Sequence, residues 1–148
     1  MLFKDLNERL IATGLPGETS DHVITAMVDI LVTEGAVQDR EQALEDLRLH
    51  QEQTAFGMQH GIAIPHAKTN AVQELVAAVA TTAQPVDFDA LDKKPSQIIV
   101  LTLSRPDQTG PHVRFLSEIA RLLKSKRLRK DMLAATSPAQ LLALIRSQ

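Results

Sequence analysis

The chain contains no cysteine, so it can form no disulfide and can offer neither a thiolate nucleophile nor a cysteine ligand to a metal. It also lacks tryptophan and tyrosine and has only four phenylalanines. A site that binds sugars or single-stranded nucleic acid by stacking would therefore be without its usual aromatic platform. The formal net charge is -2, whereas nucleic-acid binders are usually basic over much of one face. These absences disfavour thiol chemistry, stacking recognition and nucleic-acid binding.

Long apolar runs are absent too. No segment approaches the roughly 20 apolar residues that span a bilayer, and the N-terminus has no basic region followed by an apolar core. We therefore expect a cytoplasmic protein that does not insert directly into a membrane. The 148 residues fit a single domain covering residues 1–148, long enough to bury a hydrophobic core without disulfides.

Apolar residues at helical spacing predict a helical first third. A short amphipathic segment over residues 6–11 opens the chain. Thr19 or Ser20 can cap a second helix that runs to Gly35, and Asp39 can cap a third. Caps at these places satisfy the free N–H groups of a helix's first turn, so they mark where each helix begins.

The remainder alternates between extended and helical patterns. Residues 61–65 form a short apolar run closed by proline, and residues 75–80 and 98–103 are near-continuous apolar runs typical of strands covered on both faces. Gly110-Pro111 and Ser137-Pro138 place proline where the first turn of a helix tolerates it. The predicted fold class is α/β, with a mixed β-sheet sandwiched between helices in a single domain.

His66 has the setting that says most about chemistry. It follows Pro65 at the end of the apolar run and precedes a polar loop, Ala67–Asn70. A residue just after a rigid strand is held by the scaffold yet reachable from solvent. Neutral imidazole is nucleophilic, and its ordinary pKa of about 6.5 leaves much of it neutral at cellular pH. His66 is therefore the candidate nucleophile, the alternative being a loop histidine without a role.

His112 directly follows Gly110-Pro111, in the first turn of the predicted helix. Free backbone N–H groups and the positive end of the helix dipole disfavour a protonated imidazole there and attract an anion such as phosphate. If His112 lies beside His66, it can donate a hydrogen bond to a phosphoryl group on that ring. The alternative is a solvated residue at the start of a helix.

The other histidines are His22, His50 and His60. A histidine metal site is one reading of the set, but no spacing matches a familiar ligand pattern. The sequence also has no Gly-rich phosphate loop, no His-Glu-x-x-His zinc helix and no nucleophile elbow. We predict neither a metal nor another cofactor, and we place His22 on the surface.

The run from Gly61 to Lys68, preceded by Thr54 and Gly57, resembles the phosphorylation-site segment of fructose/mannitol-type enzyme IIA domains. These domains belong to the bacterial phosphoenolpyruvate-dependent phosphotransferase system and include nitrogen-regulatory members. The resemblance covers essentially the whole chain and includes three later stretches: Pro85–Phe88, Asp92 with Pro95, and Gly110–Leu116.

This resemblance implies a phosphoryl relay. His66 would accept a phosphoryl group from the phosphorylated histidine of the carrier protein HPr, or of its nitrogen-branch counterpart. It would then pass the group to a cysteine of enzyme IIB during sugar uptake. By the same resemblance, His112 would stabilise the phosphoryl group. Such a transfer depends on in-line placement and on neutralising the charge of the phosphoryl oxygens.

The sequence departs from the family at one place. Many members carry an Arg-Glu pair shortly before the Thr-containing segment, and this chain has His50 and Gln51 there. Arg48, or His50 when protonated, could replace that arginine. We therefore include Arg48, His50 and Thr54 as candidate phosphate-binding residues.

Two other functions remain open from the sequence. In the first, phosphorylation of His66 controls binding to a transporter, a kinase or a transcription factor, and the chain is a regulatory module. In the second, the chain is a histidine-rich binding module that is not phosphorylated and that binds, for example, a metal.

Overall fold

The computed structural model describes residues 6–148, which form five strands and five α-helices. The strands are β1 (Ile11–Leu15), β2 (Ile62–Ala63), β3 (His66–Lys68), β4 (Val76–Val86) and β5 (Ser96–Ser104). The helices are α1 (Ser20–Thr33), α2 (Arg40–Gln53), α3 (Thr109–Leu122), α4 (Lys126–Ala134) and α5 (Pro138–Arg146). Single turns of 3₁₀-helix cover Glu8–Leu10 and Gln59–Gly61. Within this part of the chain, no helix has the length and apolar character needed to cross a membrane.

The strands form one mixed sheet in the order β1-β4-β5-β2, with β3 also paired to β5. β1 runs parallel to β4, β4 antiparallel to β5, and β5 parallel to both β2 and β3. β2 and β3 share one register on β5, with Ile62 opposite Ile98 and His66 opposite Thr102. They are therefore two pieces of one edge strand, interrupted at Ile64 and Pro65.

The predicted helix starts are confirmed by the capping contacts. Thr19 accepts a hydrogen bond from the N–H of His22, and Asp39 accepts one from the N–H of Gln42. Ser137 caps α5 in the same way, with Pro138 as its first helical residue. Each side chain satisfies an N–H group that has no partner inside its helix.

The two long apolar runs are confirmed as the central strands of the sheet. Residues 77–80 of β4 and 98–101 of β5 are almost fully buried. Helix α1 packs on β4, α2 on β3, α4 on β5 and α5 on β1. The predicted mixed sheet between helices is therefore confirmed, and its two innermost strands are the most hydrophobic ones because helices cover them.

One expectation about the elements is wrong, and one helix was not predicted. The helical opening predicted over residues 6–11 is only a single 3₁₀ turn at Glu8–Leu10, and Ile11 begins β1, because pairing with β4 satisfies more backbone groups than an isolated turn of helix can. Helix α4 is the element that was not predicted. Ser125 starts it by accepting a hydrogen bond from the N–H of Leu128.

A further correction concerns the polar loop predicted at Ala67–Asn70, because its first two residues continue from His66 as strand β3. Pro65 has no N–H to give to the sheet, but its carbonyl accepts a hydrogen bond of 2.9 Å from the N–H of Thr102. The backbone therefore stays in register past the proline, and His66 is held by the sheet itself.

Candidate functional site

Three histidines from three different elements meet at one cleft. His50 lies near the end of α2, His66 begins β3, and His112 lies in the first turn of α3. The cleft has a volume of about 430 Å³, and six further residues line it: Asp46, Leu49, Gln53, Ala67, Lys68 and Leu116. The ring centroid of His66 lies 4.8 Å from that of His50 and 5.7 Å from that of His112. His66 is therefore the central member of the cluster.

The ring of His66 is oriented by the backbone just before it. Its Nδ1 lies 2.7 Å from the carbonyl oxygen of Ile64. Ile64 lies between β2 and β3, and its backbone groups point away from β5. Its N–H accordingly donates a hydrogen bond to the carbonyl of Phe56 instead of to the sheet. A carbonyl can only accept, so Nδ1 carries the proton and Nε2 of the neutral ring carries the lone pair.

The aromatic ring of Phe56 supports this arrangement from below the surface. Phe56 is fully buried, and its ring centroid lies 5.5 Å from that of His66 and 6.0 Å from that of His50. The neighbouring Gly57 lies so close to Ala90 that a Cβ there would come within 2.7 Å of the Ala90 nitrogen. The absence of a side chain at Gly57 therefore lets this segment reach its place beside the cluster.

His112 is buried, with 6% of its surface exposed, which excludes the alternative of a solvated residue at a helix start. Its Nδ1 lies 2.6 Å from the hydroxyl oxygen of Ser104, the last residue of β5. The buried hydroxyl anchors one side of the imidazole. The other ring nitrogen, Nε2, is therefore the one available to the cleft.

Burial and neighbouring charge keep two of the histidines neutral. Burial is the largest cause that lowers the pKa of His112 to about 4, followed by the effects of His66, Lys68 and His50. Burial also lowers the pKa of His50, with a further contribution from His66. Both rings are thus neutral at physiological pH, and each can present one N–H group to a bound anion.

Lys68 supplies a fixed positive charge at the rim of the cleft. It follows His66 on the same face of β3, since side chains two residues apart in a strand point the same way. Its Nζ donates a hydrogen bond of 2.7 Å to the hydroxyl of Thr109 at the start of α3. The ammonium group is thereby placed between β3 and α3, where it can attract an anion to His66.

The structure does not bring the other candidates into the cleft. Arg48 bonds outward to Glu45 and Glu52 along α2, and the exposed Thr54 caps the end of that helix through its N–H. His22 and His60 are also exposed outside the cleft. Across residues 6–148, no group of three or more histidine or acidic side chains is arranged to hold a metal ion.

Sequence reasoning missed four parts of the site: Lys68, Ser104, the ring of Phe56 and the carbonyl of Ile64. The sequence did not indicate a role for the hydroxyl of Ser104, because this residue directly follows an apolar strand run and looks like an ordinary end of a strand. A usable signal was present all the same. Ser104 precedes His112 by eight residues across a short loop, so the end of the strand and the start of the helix had to lie close together.

Comparison with known proteins assigns the chain's family. Residues 5–148 match the family described as phosphoenolpyruvate-dependent sugar phosphotransferase system, EIIA 2. The chain is similar to the fructose-specific EIIA component of Haloferax volcanii, with 35% identity over 86% of this chain and 83% of that protein. It is also similar to a nitrogen regulatory protein of Pseudomonas aeruginosa, with 28% identity over 89% of this chain and 86% of that protein.

The fold has a close counterpart among solved structures. The complex of enzyme IIAMTL and phosphorylated enzyme IIBMTL from Escherichia coli matches with a TM-score of 0.83, over 97% of this chain and 98% of the matched one. The sequence identity is 16%. At that identity the likeness establishes the arrangement of helices and strands.

Proposed function

Because the chain belongs to the EIIA 2 family of the phosphoenolpyruvate-dependent sugar phosphotransferase system, we propose that it is a phosphocarrier whose His66 accepts a phosphoryl group and passes it on. One observation carries this proposal. The Nδ1 of His66 is engaged by the Ile64 carbonyl at 2.7 Å, which leaves the lone pair of Nε2 as the nucleophile. The partly exposed ring opens onto a cleft that also holds two neutral imidazoles and an ammonium group.

The bonds that form and break in the transfer involve only the two reacting histidines and the phosphoryl group. Nε2 of His66 attacks the phosphorus of an incoming phosphohistidine; the new P–N bond forms as the old one breaks, and the electron pair of the old bond stays on the donor nitrogen. His66 keeps its Nδ1 proton, so its ring becomes cationic beside the phosphoryl oxygens. The carbonyl of Ile64 stabilises that proton in place.

His112 and Lys68 act on the phosphoryl oxygens. The Nε2–H of His112 donates from a buried position, and the low pKa of this ring keeps it from competing as a base. Lys68 adds positive charge from the rim. Since phosphoryl transfer is governed by positioning and by charge stabilisation, these groups suffice without a metal ion as a bound cofactor. We assign Arg48 and Thr54 no role in this transfer, because neither is among the residues that line the cleft.

Membership of the family supports a proposal for the two partners. The donor is an HPr-like phosphocarrier, and the acceptor is a cysteine of an enzyme IIB domain, whose thiolate attacks the phosphorus while the P–N electron pair returns to Nε2. The similar protein from Escherichia coli was solved with phosphorylated enzyme IIBMTL, which supports this acceptor. The reaction takes place in the cytoplasm, where phosphoenolpyruvate is available.

The test is labelling from phosphoenolpyruvate in the presence of enzyme I and HPr. The protein should gain one acid-labile phosphoryl group, and His66→Gln should gain none. His22→Gln is the matched control, because His22 is an exposed histidine of α1 that is not among the residues lining the cleft. Undiminished labelling of His66→Gln would refute the assignment of the nucleophile.

A regulatory module is the second candidate, favoured by the similarity to the nitrogen regulatory protein. In this case the same phosphorylation of His66 changes which protein docks around the cleft. Affinity capture with the phosphorylated protein and with His66→Gln should then return different partners. Identical partners from both baits would favour the transport role.

A further inference from the structure

The contact between His50 and His66 has a proton arrangement that the geometry dictates. Their Nε2 atoms lie 3.3 Å apart. Two lone pairs facing each other would repel, and so would two N–H groups, so one nitrogen must donate and the other accept. Because Nδ1 of His66 carries its proton toward Ile64, its Nε2 is the acceptor. The donor is the Nε2–H of His50.

We propose that His50 masks the nucleophile in the unphosphorylated protein and then transfers this hydrogen bond to the phosphoryl group. In the resting state its Nε2–H occupies the lone pair that must attack phosphorus. When a phosphoryl group bonds to Nε2 of His66, that acceptor is consumed and negative oxygens appear within reach of the same N–H. The inference rests on the proposed phosphorylation of His66 for its second half only.

Three features of the surroundings support the exchange. His50 is partly buried near the last turn of α2, and its ring centroid lies 6.0 Å from that of Phe56, so packing keeps the ring in the cleft beside His66. The carboxylate of Asp46, one turn earlier, is engaged by Gln42 at 3.0 Å. Lys68 is held by Thr109. The N–H of His50 is therefore the donor in direct contact with the reacting nitrogen.

This role fits the difference from the family pattern. An arginine at this place is always charged and offers several donors in a fixed fork, whereas a histidine can donate while neutral. The low pKa of His50 favours that neutral form. His50 thus protects the lone pair of His66 without adding a permanent cation to the cluster, and it supplies a charge-assisted hydrogen bond once the phosphoryl group is present.

The resting contact is tested without any phosphoryl donor. In ¹⁵N-histidine spectra, His66 should be protonated on Nδ1, and its Nε2 resonance should report an accepted hydrogen bond. In His50→Phe, which keeps a ring beside Phe56 but has no N–H, the resonance should move to the position of a free lone pair. His50→Gln, whose amide can donate from a similar distance, should restore it. An Nε2 resonance unchanged in His50→Phe, or a proton on Nε2 of His66, would overturn the masking.

The second half is tested with phosphoramidate, a small-molecule donor that reaches His66 without a partner protein. Loss of one charge-assisted hydrogen bond should shorten the half-life of the phosphorylated His50→Phe protein by about tenfold, while His50→Gln should stay within about threefold of the parent. Equal half-lives for the parent and His50→Phe would overturn the hydrogen-bond transfer. A parent protein that takes no label on His66 would refute the proposed function and the transfer, and the spectra would still decide the masking.

Discussion

The hydroxyl of Ser104 lies 2.6 Å from Nδ1 of His112, and both residues are buried. Nδ1 is the one side-chain partner that the structure gives this hydroxyl within residues 6–148. A buried hydroxyl donates its proton where an acceptor is in reach, so Nδ1 accepts and Nε2 carries the proton of the neutral ring. Ser104 therefore selects the tautomer in which His112 can donate toward His66.

Ser104→Ala should impair both stability and transfer. It leaves Nδ1 of His112 buried without a partner, which should lower the free energy of unfolding by about 1–3 kcal/mol. With its tautomer no longer fixed, His112 should stabilise the phosphoryl group less well, and the labelling rate of His66 should fall by about five- to tenfold. Urea unfolding and labelling from phospho-HPr measure the two effects.

Ser96→Ala is the matched control for this change. The hydroxyl of Ser96 is buried at the other end of β5, and the structure of residues 6–148 gives it no hydrogen-bond partner. Its removal should leave stability unchanged or raise it, with unaltered labelling. Equal losses in Ser96→Ala and Ser104→Ala would mean that the contact to His112 has no special role.

The pKa of His112 makes the stability depend on pH. In the folded protein this pKa is lowered to about 4, against 6.5 for an unperturbed histidine. Between these values the unfolded chain binds a proton that the folded protein does not. The contribution of His112 to the free energy of unfolding is therefore fully present above about pH 6.5 and is lost as the pH falls toward about 4. His50, whose pKa is lowered too, adds to the loss.

Urea unfolding at a series of pH values measures this dependence. In His112→Gln the decline below about pH 6.5 should be shallower, since only the smaller contribution of His50 remains. A decline of equal slope in the parent and the variant would assign the effect to groups other than His112.

Gly57→Ala should destabilise the protein. The new Cβ would lie 2.7 Å from the backbone nitrogen of Ala90, so the segment beside the histidines would have to move. We expect a loss of about 1–3 kcal/mol in the free energy of unfolding, measured by chemical denaturation. Gly110→Ala is the contrasting control. It lies in the first turn of α3, and its Cβ would make an ordinary contact of 3.5 Å with the side chain of Arg114, so it should destabilise less than Gly57→Ala, with a residual cost from the following proline.

Lys68→Gln should slow phosphoryl acceptance by about two- to fivefold, because the rim of the cleft loses the charge that attracts the phosphoryl oxygens. The rate should also become less sensitive to salt. Lys94→Gln removes the same charge from an exposed loop away from the cleft and should behave as the parent. Equal rates and equal salt dependence in the two variants would contradict a role for Lys68.

Much of the fold was accessible from local patterns. Thr19, Asp39 and Ser137 cap the helices because their short side chains reach the free N–H groups of the next turn, which is a purely local effect. The central strands were accessible because sustained apolar runs of strand length have few alternatives to burial within a sheet. His66 and His112 were identified as a pair, and the structure places them in one cleft.

What escaped the sequence depends on contacts between distant residues. β1 exists because β4, more than sixty residues later, pairs with it. The orientation of His112 depends on Ser104, whose side chain looks like an ordinary strand residue until the loop brings it back to α3. The hydrogen bond between His50 and His66 depends on how α2 packs against β3. Tertiary packing determines such contacts, and local propensity does not predict them.

The interruption of the edge strand at Ile64 and Pro65 has a consequence for association. An open strand edge with regular free donors and acceptors invites another chain to pair with it. Here Pro65 withholds a donor, Phe56 takes the N–H of Ile64, and the ring of His66 takes its carbonyl. The reactive imidazole thus also occupies a backbone acceptor at the edge of the sheet, so one side chain serves both the chemistry and the protection of this edge from pairing with another strand.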